Sequence, residues 1–325
     1  MADGFGKVLV TGALGFIGRH LADALLGEGA EVTILDNAEG EPSSGARLLR
    51  GDVRNPDDVA RAVAGSDLVF HVAGNASGTL SVLDPRLDFD TNALGSFNVA
   101  DAAARAEVGR LVYVSSASVY GTPVRFPMDE EHPTKPFVPY GASKLSGELA
   151  SFALFRATGL PVVAARPFCV YGPGEDPKHT LVEPGRYLRW HLNRRPIQIV
   201  GDPDRKTRDF VHVSDLVASL LLLARSGVPG EAYNAGSGEE VSMRQLADAI
   251  GEATHREPQL ETIPEITDDT YRLVADISKL RALGYEPKMP LEVGLAQLAD
   301  QLGENPELAT TPTIFRRGQR AEKSP

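Results

Sequence analysis

Short runs of apolar and β-branched residues alternate with longer, alanine-rich stretches through the first half of the chain. The apolar runs predict strands at residues 7–10, 31–35, 48–51, 68–71, 110–115 and 161–166. The stretches between them predict helices at residues 15–26, 55–63, 92–105 and 140–156. Strands that are apolar along their whole length and separated by helices are typical of a parallel sheet covered on both faces. The pattern therefore predicts an α/β fold with a doubly wound, Rossmann-type parallel sheet.

The second half of the chain has a different pattern. Residues 172–207 are rich in glycine, proline and charge, with one helix-like stretch near 184–193. A strand–helix unit follows at 209–224. Residues 241–254 are amphipathic at helical spacing, and Ser242 is placed to cap that helix. We interpret this half as a smaller α/β domain that is interleaved with the first and closes over a cleft.

The two patterns give a division of the 325-residue chain into domains. We expect the larger, sheet-containing domain to take residues 1–167 together with about 208–235. The smaller domain would take about 168–207 and 236–304. Residues 305–325 are polar and basic, and we expect there a frayed tail or an oligomer contact, without chemistry of its own.

Composition and charge exclude several classes of protein. The chain has 33 Lys and Arg against 44 Asp and Glu, a net charge of −11, so we expect no nucleic-acid partner. Its single cysteine, Cys169, excludes a disulfide framework, and the histidines lack metal-ligand spacing, so no metal site is expected. With no leader-like or membrane-length apolar run, we expect a cytoplasmic protein without membrane contact. An anionic ligand must then be held by backbone N–H groups or a few arginines.

A glycine-rich turn follows the first predicted strand and opens the first helix. It is formed by Gly12, Gly15, Phe16, Ile17 and Gly18. Glycines at this spacing let the backbone approach a pyrophosphate held at the helix N-terminus. Asp36 ends the second strand, where a carboxylate accepts hydrogen bonds from an adenosine ribose and repels a 2′-phosphate. The motif predicts NAD as the cofactor, while the neighbouring Arg19 keeps NADP as an alternative.

Tyr140 and Lys144 lie four residues apart in a predicted helix, so both side chains project from one face. A phenol with a pKa of about 10 is a poor base at neutral pH. A lysine ammonium one turn away stabilises the phenolate and lowers that pKa. Ser116 follows the fifth predicted strand and is placed to hydrogen-bond a substrate oxygen. These three residues are the candidate catalytic group.

These motifs resemble those of the extended short-chain dehydrogenases/reductases, in the NAD-dependent sugar epimerase/dehydratase group. The resemblance covers about residues 5–300. The matching segments, in order, are 11–18, 51–53, 71–74, Asn92 with Gly95, 115–121, Tyr140 with Lys144, 166–174 and 208–215. It implies that Asp52 and Val53 flank the adenine and that Ala73 lines the cofactor site with Asn92. Lys144 would also hold the nicotinamide ribose.

The resemblance also bears on the reaction. Similar enzymes that eliminate water or carbon dioxide carry an acidic residue beside the catalytic Ser or Thr, whereas this chain has Ala117 and Ser118. That difference favours simple redox chemistry, with Tyr140 as acid/base and Ser116 as its partner. In a 4-epimerase of this kind, a keto sugar forms as hydride passes to NAD. The sugar then turns and receives the hydride on its other face.

On the substrate side the match is weaker. Arg208 matches the position that binds a substrate diphosphate in similar enzymes, although a salt bridge to a nearby aspartate is an alternative role. Cys169 replaces an asparagine that usually contacts substrate, and a thiol donates poorly. Leu273 falls near the position that limits bulk at the sugar, and Ser118 is a further candidate contact.

A second diphosphate-binding arginine is expected about ten residues before Asp276, where this chain has residues 266–269 without an arginine. Either Arg272, Arg186 or Arg189 replaces it, or the substrate is not a nucleotide diphosphate sugar. We therefore hold two hypotheses. The first is an NAD-dependent epimerase of a nucleotide sugar, with inversion at C4. The alternative is a net NAD(P)-dependent dehydrogenase or keto-reductase on a related sugar or a non-nucleotide hydroxyl substrate.

A third hypothesis, a cofactor-sensing binding protein, is disfavoured because Ser116, Tyr140 and Lys144 are all present. Similar enzymes pair through two helices of each subunit. The helices predicted at 92–105 and 140–156 would supply that four-helix contact. We therefore expect a homodimer.

Overall fold

The computed structural model describes residues 4–76, 78–177, 182–264, 271–304 and 306–308. Its strands, numbered along the chain, are β1 (Lys7–Thr11), β2 (Glu31–Asp36), β3 (Arg47–Arg50), β4 (Leu68–His71), β5 (Arg110–Val114), β6 (Val162–Pro167), β7 (Cys169–Tyr171), β8 (Ile197–Val200), β9 (Thr207–Arg208), β10 (Phe210–His212), β11 (Ala232–Ala235), β12 (Val241–Ser242), β13 (Leu260–Ile263) and β14 (Arg272–Leu273). Its helices are α1 (Phe16–Gly27), α2 (Pro56–Val63), α3 (Gly78–Leu83), α4 (Pro85–Phe89), α5 (Gly95–Arg105), α6 (Pro139–Thr158), α7 (Glu183–Leu192), α8 (Val213–Ser226), α9 (Met243–Thr254), α10 (Ser278–Arg281) and α11 (Leu291–Leu302). A π-helical turn, Asp90–Leu94, joins α4 to α5, and a 3-10 turn, Ala117–Val119, follows β5. Apart from 306–308, the predicted tail lies outside the described residues.

The central element is a seven-stranded sheet in the order β11-β6-β5-β4-β1-β2-β3. Every neighbouring pair in it is parallel. The prediction of a doubly wound parallel sheet is therefore confirmed, and β1 to β6 match the predicted strands to within about one residue. The strand order changes direction between β1 and β4. A ligand is therefore expected in the crevice at the carboxyl ends of these strands.

Different helices cover the two faces of the sheet. Val10 of β1 packs in one core with Leu21 of α1 and with α8. The preceding residue, Leu9, packs on the other face with Val59 of α2 and with α5. Because both faces are buried, successive residues of one strand are apolar, and each such side chain stabilises the fold by about 1.5–3 kcal/mol. None of the helices in the described ranges is both long and apolar enough to cross a membrane.

The sequence pattern does not predict β11, a run of four residues that includes Tyr and Asn. This strand is buried throughout and pairs in parallel with β6. The Asn234 side chain accepts a hydrogen bond from the Tyr120 hydroxyl (2.6 Å). It also donates to the carbonyl groups of Met128 (2.8 Å) and Asp276 (3.1 Å). The strand therefore ties the edge of the large sheet to two loop segments.

Small sheets lie beside the large one, in the strand orders β10-β7, β12-β9-β14 and β13-β8. Helices α7, α9 and α11 pack in a separate core that includes Leu188 and Leu246. The predicted Ser242 cap of α9 is confirmed, because the Ser242 hydroxyl accepts the Gln245 N–H (3.1 Å) and the Gln245 side chain accepts the Ser242 N–H (2.8 Å). Strands β9 and β10 lie in these small sheets, whereas β11 belongs to the large one. The domain boundaries given above stay a prediction.

Candidate active site

The glycine turn after β1 is shaped by close approaches between backbone segments. Gly12 has a φ angle of +74°, and a Cβ atom there would lie 2.6 Å from the Cα atom of Ala73. A Cβ atom on Gly18 would lie 2.2 Å from the carbonyl oxygen of Gly12. Gly15 caps α1 and has no side chain to engage the N–H groups of the first turn, which begins at Phe16. The N–H groups and the dipole at such a helix N-terminus favour an anionic ligand.

Asp36 closes this turn from the end of β2. Its buried carboxylate accepts hydrogen bonds from the backbone N–H groups of Leu14 (2.8 Å) and Ala38 (2.9 Å). Ile17 packs against the core below the turn, and the exposed Arg19 guanidinium donates to the Leu14 carbonyl group (3.4 Å). An acidic residue at this strand end is the partner expected for an adenosine ribose without a 2′-phosphate.

Asp52 and Val53 lie at the same edge of the sheet, after β3. Arg54 binds the Asp52 carboxylate, and these hydrogen bonds, opposed by partial burial, lower the pKa of Asp52 to about 2. The Asn37 side chain, which follows β2, also donates to Asp52 (3.0 Å). Val53 is buried beneath Gly95, where a Cβ atom would lie 2.8 Å from a Val53 methyl group. The structure therefore gathers both residues near Asp36, as the adenine side requires.

Ala73 and Asn92 come together on the other side of the glycine turn. The Thr11 hydroxyl accepts the Ala73 N–H (3.2 Å). Asn92 is fully buried on the π-helical turn, and its side-chain oxygen accepts the N–H of Asn75 (2.9 Å). A Cβ atom on Gly74 would lie 2.6 Å from that oxygen and 3.7 Å from the Lys144 ammonium nitrogen. Ala73 and Asn92, assigned to the cofactor site, and Lys144, assigned to the nicotinamide ribose, therefore surround one short segment after β4.

The candidate catalytic residues also meet at this edge. Tyr140 and Lys144 lie on α6, and Ser116 caps the 3-10 turn after β5, its hydroxyl accepting the Ser118 N–H (3.1 Å). The predicted lowering of the Tyr140 pKa is wrong for this structure, because burial raises that pKa and a hydrogen bond with Ser116 offsets only part of the rise. Burial lowers the pKa of Lys144 to about 8, although nearby carboxylates oppose the change. The Lys144 ammonium lies 4.9 Å from the centre of the Tyr113 ring.

Two further glycines explain why α6 can come so close. A Cβ atom on Gly141 would lie 2.4 Å from the carbonyl oxygen of Ser118. A Cβ atom on Gly147 would lie 2.6 Å from the Tyr113 hydroxyl. The sequence analysis did not single out either glycine, although the first is adjacent to Tyr140. Their small size lets the helix backbone approach the end of β5, so Tyr140 reaches Ser116.

A buried carboxylate that the sequence pattern does not reveal lies beside this group. Asp88 of α4 is fully buried. It accepts hydrogen bonds from the side chains of Asn75 (2.8 Å), Asn92 (3.1 Å) and Ser143 (2.6 Å). Burial raises the pKa of Asp88, and these hydrogen bonds and the charge of Lys144 oppose that rise. An aspartate in a polar stretch between predicted elements gave no signal of this role.

The structure brings together three of the four candidate substrate residues. Leu273 of β14 is in register with Arg208 of β9, and Cys169 of β7 is half-buried near the same guanidinium. Arg208 is buried and donates to the carbonyl oxygen of Thr207 (2.9 Å). Burial raises the pKa of the Cys169 thiol, so the thiolate form is disfavoured. The fourth, Ser118, lies instead beside the catalytic group.

A second missed residue, Glu183 at the start of α7, lies next to Arg208. Its carboxylate oxygen is 3.6 Å from the Arg208 Nε atom. Although burial opposes it, the combined charge of Arg208, Arg186 and Lys206 lowers the pKa of Glu183. The charge of Arg186 also acts to lower the pKa of the Cys169 thiol, so Arg186 belongs to the same cluster. The first turns of α7, which contain Glu183 and Arg186, are therefore part of the candidate substrate site.

The other two replacement arginines are engaged elsewhere. Arg272 forms a two-point contact with Glu240, at 2.5 and 2.6 Å, on the exposed side of β14. Arg189 donates to the carbonyl groups of Glu175 (3.2 Å) and Glu307 (2.9 Å). Residues 266–269, where the second arginine was expected, lie outside the described residues.

The cofactor side fits a dinucleotide. The glycine turn leaves backbone space that a Cβ atom would fill, and it ends at a helix N-terminus flanked by the Asp36 carboxylate. Across the described part of the chain, no group of three or more His, Cys, Asp or Glu side chains is arranged to hold a metal ion.

Comparison with known proteins gives concordant matches. The model of the "NAD dependent epimerase/dehydratase family" matches residues 8–236. A putative UDP-glucose 4-epimerase of Methanocaldococcus jannaschii is 32% identical over 311 residues, which cover 92% of this chain and 99% of that protein. The structure of Thermus thermophilus UDP-glucose 4-epimerase with NAD has a TM-score of 0.82 and 33% identity, and covers 91% of this chain and 98% of that one. That of Thermotoga maritima UDP-glucose 4-epimerase with UDP-glucose has a TM-score of 0.85 and 30% identity, with the same coverage, 91% and 98%.

Proposed function

The chain belongs to the NAD-dependent epimerase/dehydratase family, and from this premise we propose that it is an enzyme that uses NAD to invert C4 of a nucleotide sugar. One observation carries the proposal. Tyr140 is hydrogen-bonded to Ser116 and lies one helical turn from the buried ammonium of Lys144. The group lies near the glycine turn, because the segment after β4 approaches both: a Cβ atom on Gly74 would lie 3.7 Å from the Lys144 Nζ atom, and one on Gly12 would lie 2.6 Å from the Ala73 Cα atom.

NAD would be held by backbone and side-chain groups of the large sheet. Its pyrophosphate would lie on the turn from Gly12 to Gly18, and its adenosine would lie between Asp36 and the pair Asp52–Val53. Ala73, Asn92 and Lys144 would border the nicotinamide end. When bound there, NAD supplies the hydride acceptor and donor that the sugar carbon needs.

Tyr140 performs the acid–base part of the reaction. Its phenolate takes the proton of the sugar 4-hydroxyl as that carbon is oxidised to a ketone, and Ser116 holds the oxygen by a hydrogen bond. Because burial raises the pKa of Tyr140, its phenolate would depend on the hydrogen bond with Ser116 and on the positive charge of Lys144. With a pKa of about 8, Lys144 is mostly charged at neutral pH. After the keto sugar has rotated to present its other face, Tyr140 returns the proton to the oxygen. The cycle has no net oxidation or reduction.

The turn after Ser116 supports this reaction over elimination. Removing water or carbon dioxide from a keto sugar needs a further acid or base close to the reacting carbons. Ala117 and Ser118 follow Ser116, and neither side chain is acidic. An epimerase needs no such residue, because only one proton moves at the reacting carbon's oxygen.

On the substrate side, Arg208 and Arg186 would bind the diphosphate. Arg208 lies in register with Leu273 at the end of the small sheet, and Arg186 lies in the same cluster around Glu183 and Cys169. Arg186 is the replacement we favour for the missing arginine, because its charge acts on Glu183 and Cys169 beside Arg208.

A second candidate function, a net NAD(P)-dependent dehydrogenase or keto-reductase, is favoured by Glu183. Its carboxylate lies 3.6 Å from the Arg208 Nε atom, where it competes with any diphosphate for that guanidinium. A substrate without a diphosphate would leave the ion pair in place.

The two functions are separated by one assay. Purified protein is incubated with UDP-, dTDP- and GDP-sugars; sugar stereochemistry is read by NMR and NADH by absorbance. Inversion at C4 without accumulating NADH is the expected result. Stoichiometric NADH together with an oxidised product would refute the epimerase and support the dehydrogenase.

We also propose that the protein is a homodimer joined through α5 and α6. Large apolar side chains are exposed on and around these helices, at Leu83, Leu87, Phe89, Leu94, Phe97 and Leu149. Such a patch on a soluble domain marks an interaction surface. A dimer mass in sedimentation that falls to the monomer mass in Leu149→Glu is expected. A monomer mass for the unmodified protein at micromolar concentration would contradict the dimer.

A further inference from the structure

The buried carboxylate of Asp88 is not explained by packing. Among the described residues, its hydrogen-bond donors are the neutral side chains of Asn75, Asn92 and Ser143. A buried carboxylate without a directly bonded cation is costly, and a neutral amide would accept similar hydrogen bonds at lower cost. The position of Asp88 next to the catalytic helix suggests what the charge does.

Asp88 is linked to the catalytic helix through Ser143. The Ser143 hydroxyl donates to Asp88 (2.6 Å) and lies 2.9 Å from the carbonyl oxygen of Tyr140, its second available acceptor. Ser143 stands between Tyr140 and Lys144 in the sequence, so this contact fixes the turn that carries both. Asn92, on the π-helical turn, is held by the same carboxylate (3.1 Å).

The charge of Asp88 also acts on the ammonium of Lys144 and raises its pKa against the effect of burial. The two groups border the same segment, since a Cβ atom on Gly74 would lie 2.6 Å from the side-chain oxygen of Asn92, which Asp88 holds, and 3.7 Å from the Lys144 Nζ atom. The other groups around Lys144 are Glu148 and Tyr140 on its own helix, His71 on β4 and the Tyr113 ring on β5. His71 is neutral, because burial and, to a lesser extent, the charge of Lys144 lower its pKa to about 3.

Glu148 is engaged by a cation of its own. Its two carboxylate oxygens bind the Arg166 guanidinium, at 2.5 and 3.1 Å. The charge of Glu148 is therefore largely compensated by Arg166. Asp88 differs from Glu148 in this respect, because the hydrogen-bond donors that the structure describes for it are all neutral.

We propose that Asp88 is a positioning residue that keeps Lys144 charged and holds the Tyr140–Lys144 turn in place through Ser143. The proposal rests on the proposed function, because it assigns the acid–base work to Tyr140 and Lys144. It adds that the buried carboxylate sets the pH at which the ammonium loses its proton. Without Asp88, burial would deprotonate Lys144 closer to neutral pH, and the phenolate would lose its stabilising charge.

The substitution Asp88→Asn removes the charge and retains the shape. The remaining carbonyl oxygen can accept from Asn75 and Asn92, and the new amide can donate to Ser143, which then turns its own proton to the Tyr140 carbonyl group. The matched control is Asp90→Asn, two residues away, where the carboxylate is paired with Arg86 (2.7 Å) at the surface.

The first readout is the pKa of Lys144, from ¹⁵N NMR of the lysine ammonium groups in the protein, which needs no substrate. We expect Asp88→Asn to lower this pKa by about one unit, as loss of a nearby opposite charge does, and Asp90→Asn to leave it unchanged. The second readout is the alkaline limb of the kcat–pH profile, which should move down by the same amount. An unchanged Lys144 pKa in a folded Asp88→Asn protein would overturn the proposal, whatever the reaction turns out to be.

The substitution Ser143→Ala tests separately the hydrogen bond that links Asp88 to α6. It also provides a test if the Asp88→Asn protein does not fold. It keeps the charge of Asp88 and removes the link to α6. We expect kcat to fall about tenfold with KM and the alkaline limb unchanged, since a positioned acid–base group contributes 10²–10⁴-fold in all. A kcat within twofold of the unmodified enzyme would show that Asp88 does not position the turn and would overturn that part of the proposal.

Discussion

The residues assigned to the cofactor lie at the ends of parallel strands of four to six residues in the large sheet, whereas most of those assigned to the substrate lie on strands of two or three residues in the small sheets. On the first side, backbone atoms approach each other at Gly12 and Gly18. On the second side, charged side chains such as Arg208 and Glu183 meet across separate segments. The cofactor site therefore depends on shape, and the substrate site depends on how charges are paired. This difference can be tested by substitutions on each side.

The largest effect is expected at Tyr140, where the two sides meet. Tyr140→Phe removes the proton acceptor and should lower kcat by about 10³-fold, within the range for general acid–base catalysis. NAD affinity should change little, as measured by isothermal titration. The control is Tyr233→Phe, a buried tyrosine whose hydroxyl accepts the Val228 N–H (3.1 Å) away from the site. Full turnover by Tyr140→Phe would remove the basis of the catalytic assignment.

The next largest effect is expected from a substitution in the glycine turn, which tests whether the cofactor side depends on close backbone approach. Gly18→Ala places a Cβ atom 2.2 Å from the Gly12 carbonyl oxygen, so the turn must move. We expect a loss of about 1–3 kcal/mol in NAD binding or in stability, measured by titration and by urea unfolding. Gly27→Ala is the matched control at the end of the same helix, because it has open space around it. Equal effects of the two substitutions would show that the turn does not depend on close backbone approach.

Charge pairing on the substrate side is tested by two arginines. Arg208→Met should raise KM for the nucleotide sugar by about 10–100-fold, since a hydrogen bond to a charged group contributes about 1.5–3 kcal/mol. The value of kcat should change less than KM. Arg272→Met should change KM less than threefold, because Arg272 is exposed and paired with Glu240. A larger increase in KM for Arg272→Met than for Arg208→Met would show that Arg272, and not Arg208, binds the diphosphate.

The smallest effect concerns charge on the cofactor side. The pKa of Asp52 is lowered from 3.8 to about 2, chiefly by Arg54, so its stabilising contribution is complete above the unfolded-state pKa and is lost as pH falls towards 2. Because both side chains are partly exposed, Asp52→Asn should cost less than about 1 kcal/mol.

Urea unfolding of both proteins should show a constant difference above about pH 5 that shrinks below about pH 4. Asp129→Asn, which breaks a loop pair with Arg125, is the control for an exposed ion pair. A difference that grows at low pH would contradict the assigned sign.

The sequence was sufficient to predict those parts of the fold and the site that depend on residues close together in the chain. The glycine turn, the strand that ends at Asp36 and the Tyr140–Lys144 spacing each depend on neighbouring residues, and the structure brings these residues to one edge of the sheet. Strand β11 was missed because its four residues are buried by pairing with β6 rather than by their own apolar pattern.

Most partners of the missed site residues lie far along the chain. Asp88 is held by Asn75 and Ser143 as well as by the nearby Asn92, and Glu183 faces Arg208, so the polar residues of each segment do not by themselves reveal the site. Tertiary contacts of this kind need the fold before they can be recognised. The roles assigned to all of these residues stay predictions until the substitutions above are measured.

The late position of β11 has a consequence during synthesis on the ribosome. Strand β6 pairs with β5 on one side, but its other edge waits for residues that are translated after β7 to β10 and α8. At about 5–20 residues per second, that edge stays without its partner for several seconds. An open edge of apolar β-strand is a template for pairing with another chain. The nascent protein therefore exposes this edge of β6 from the emergence of Pro167 until that of Ala235.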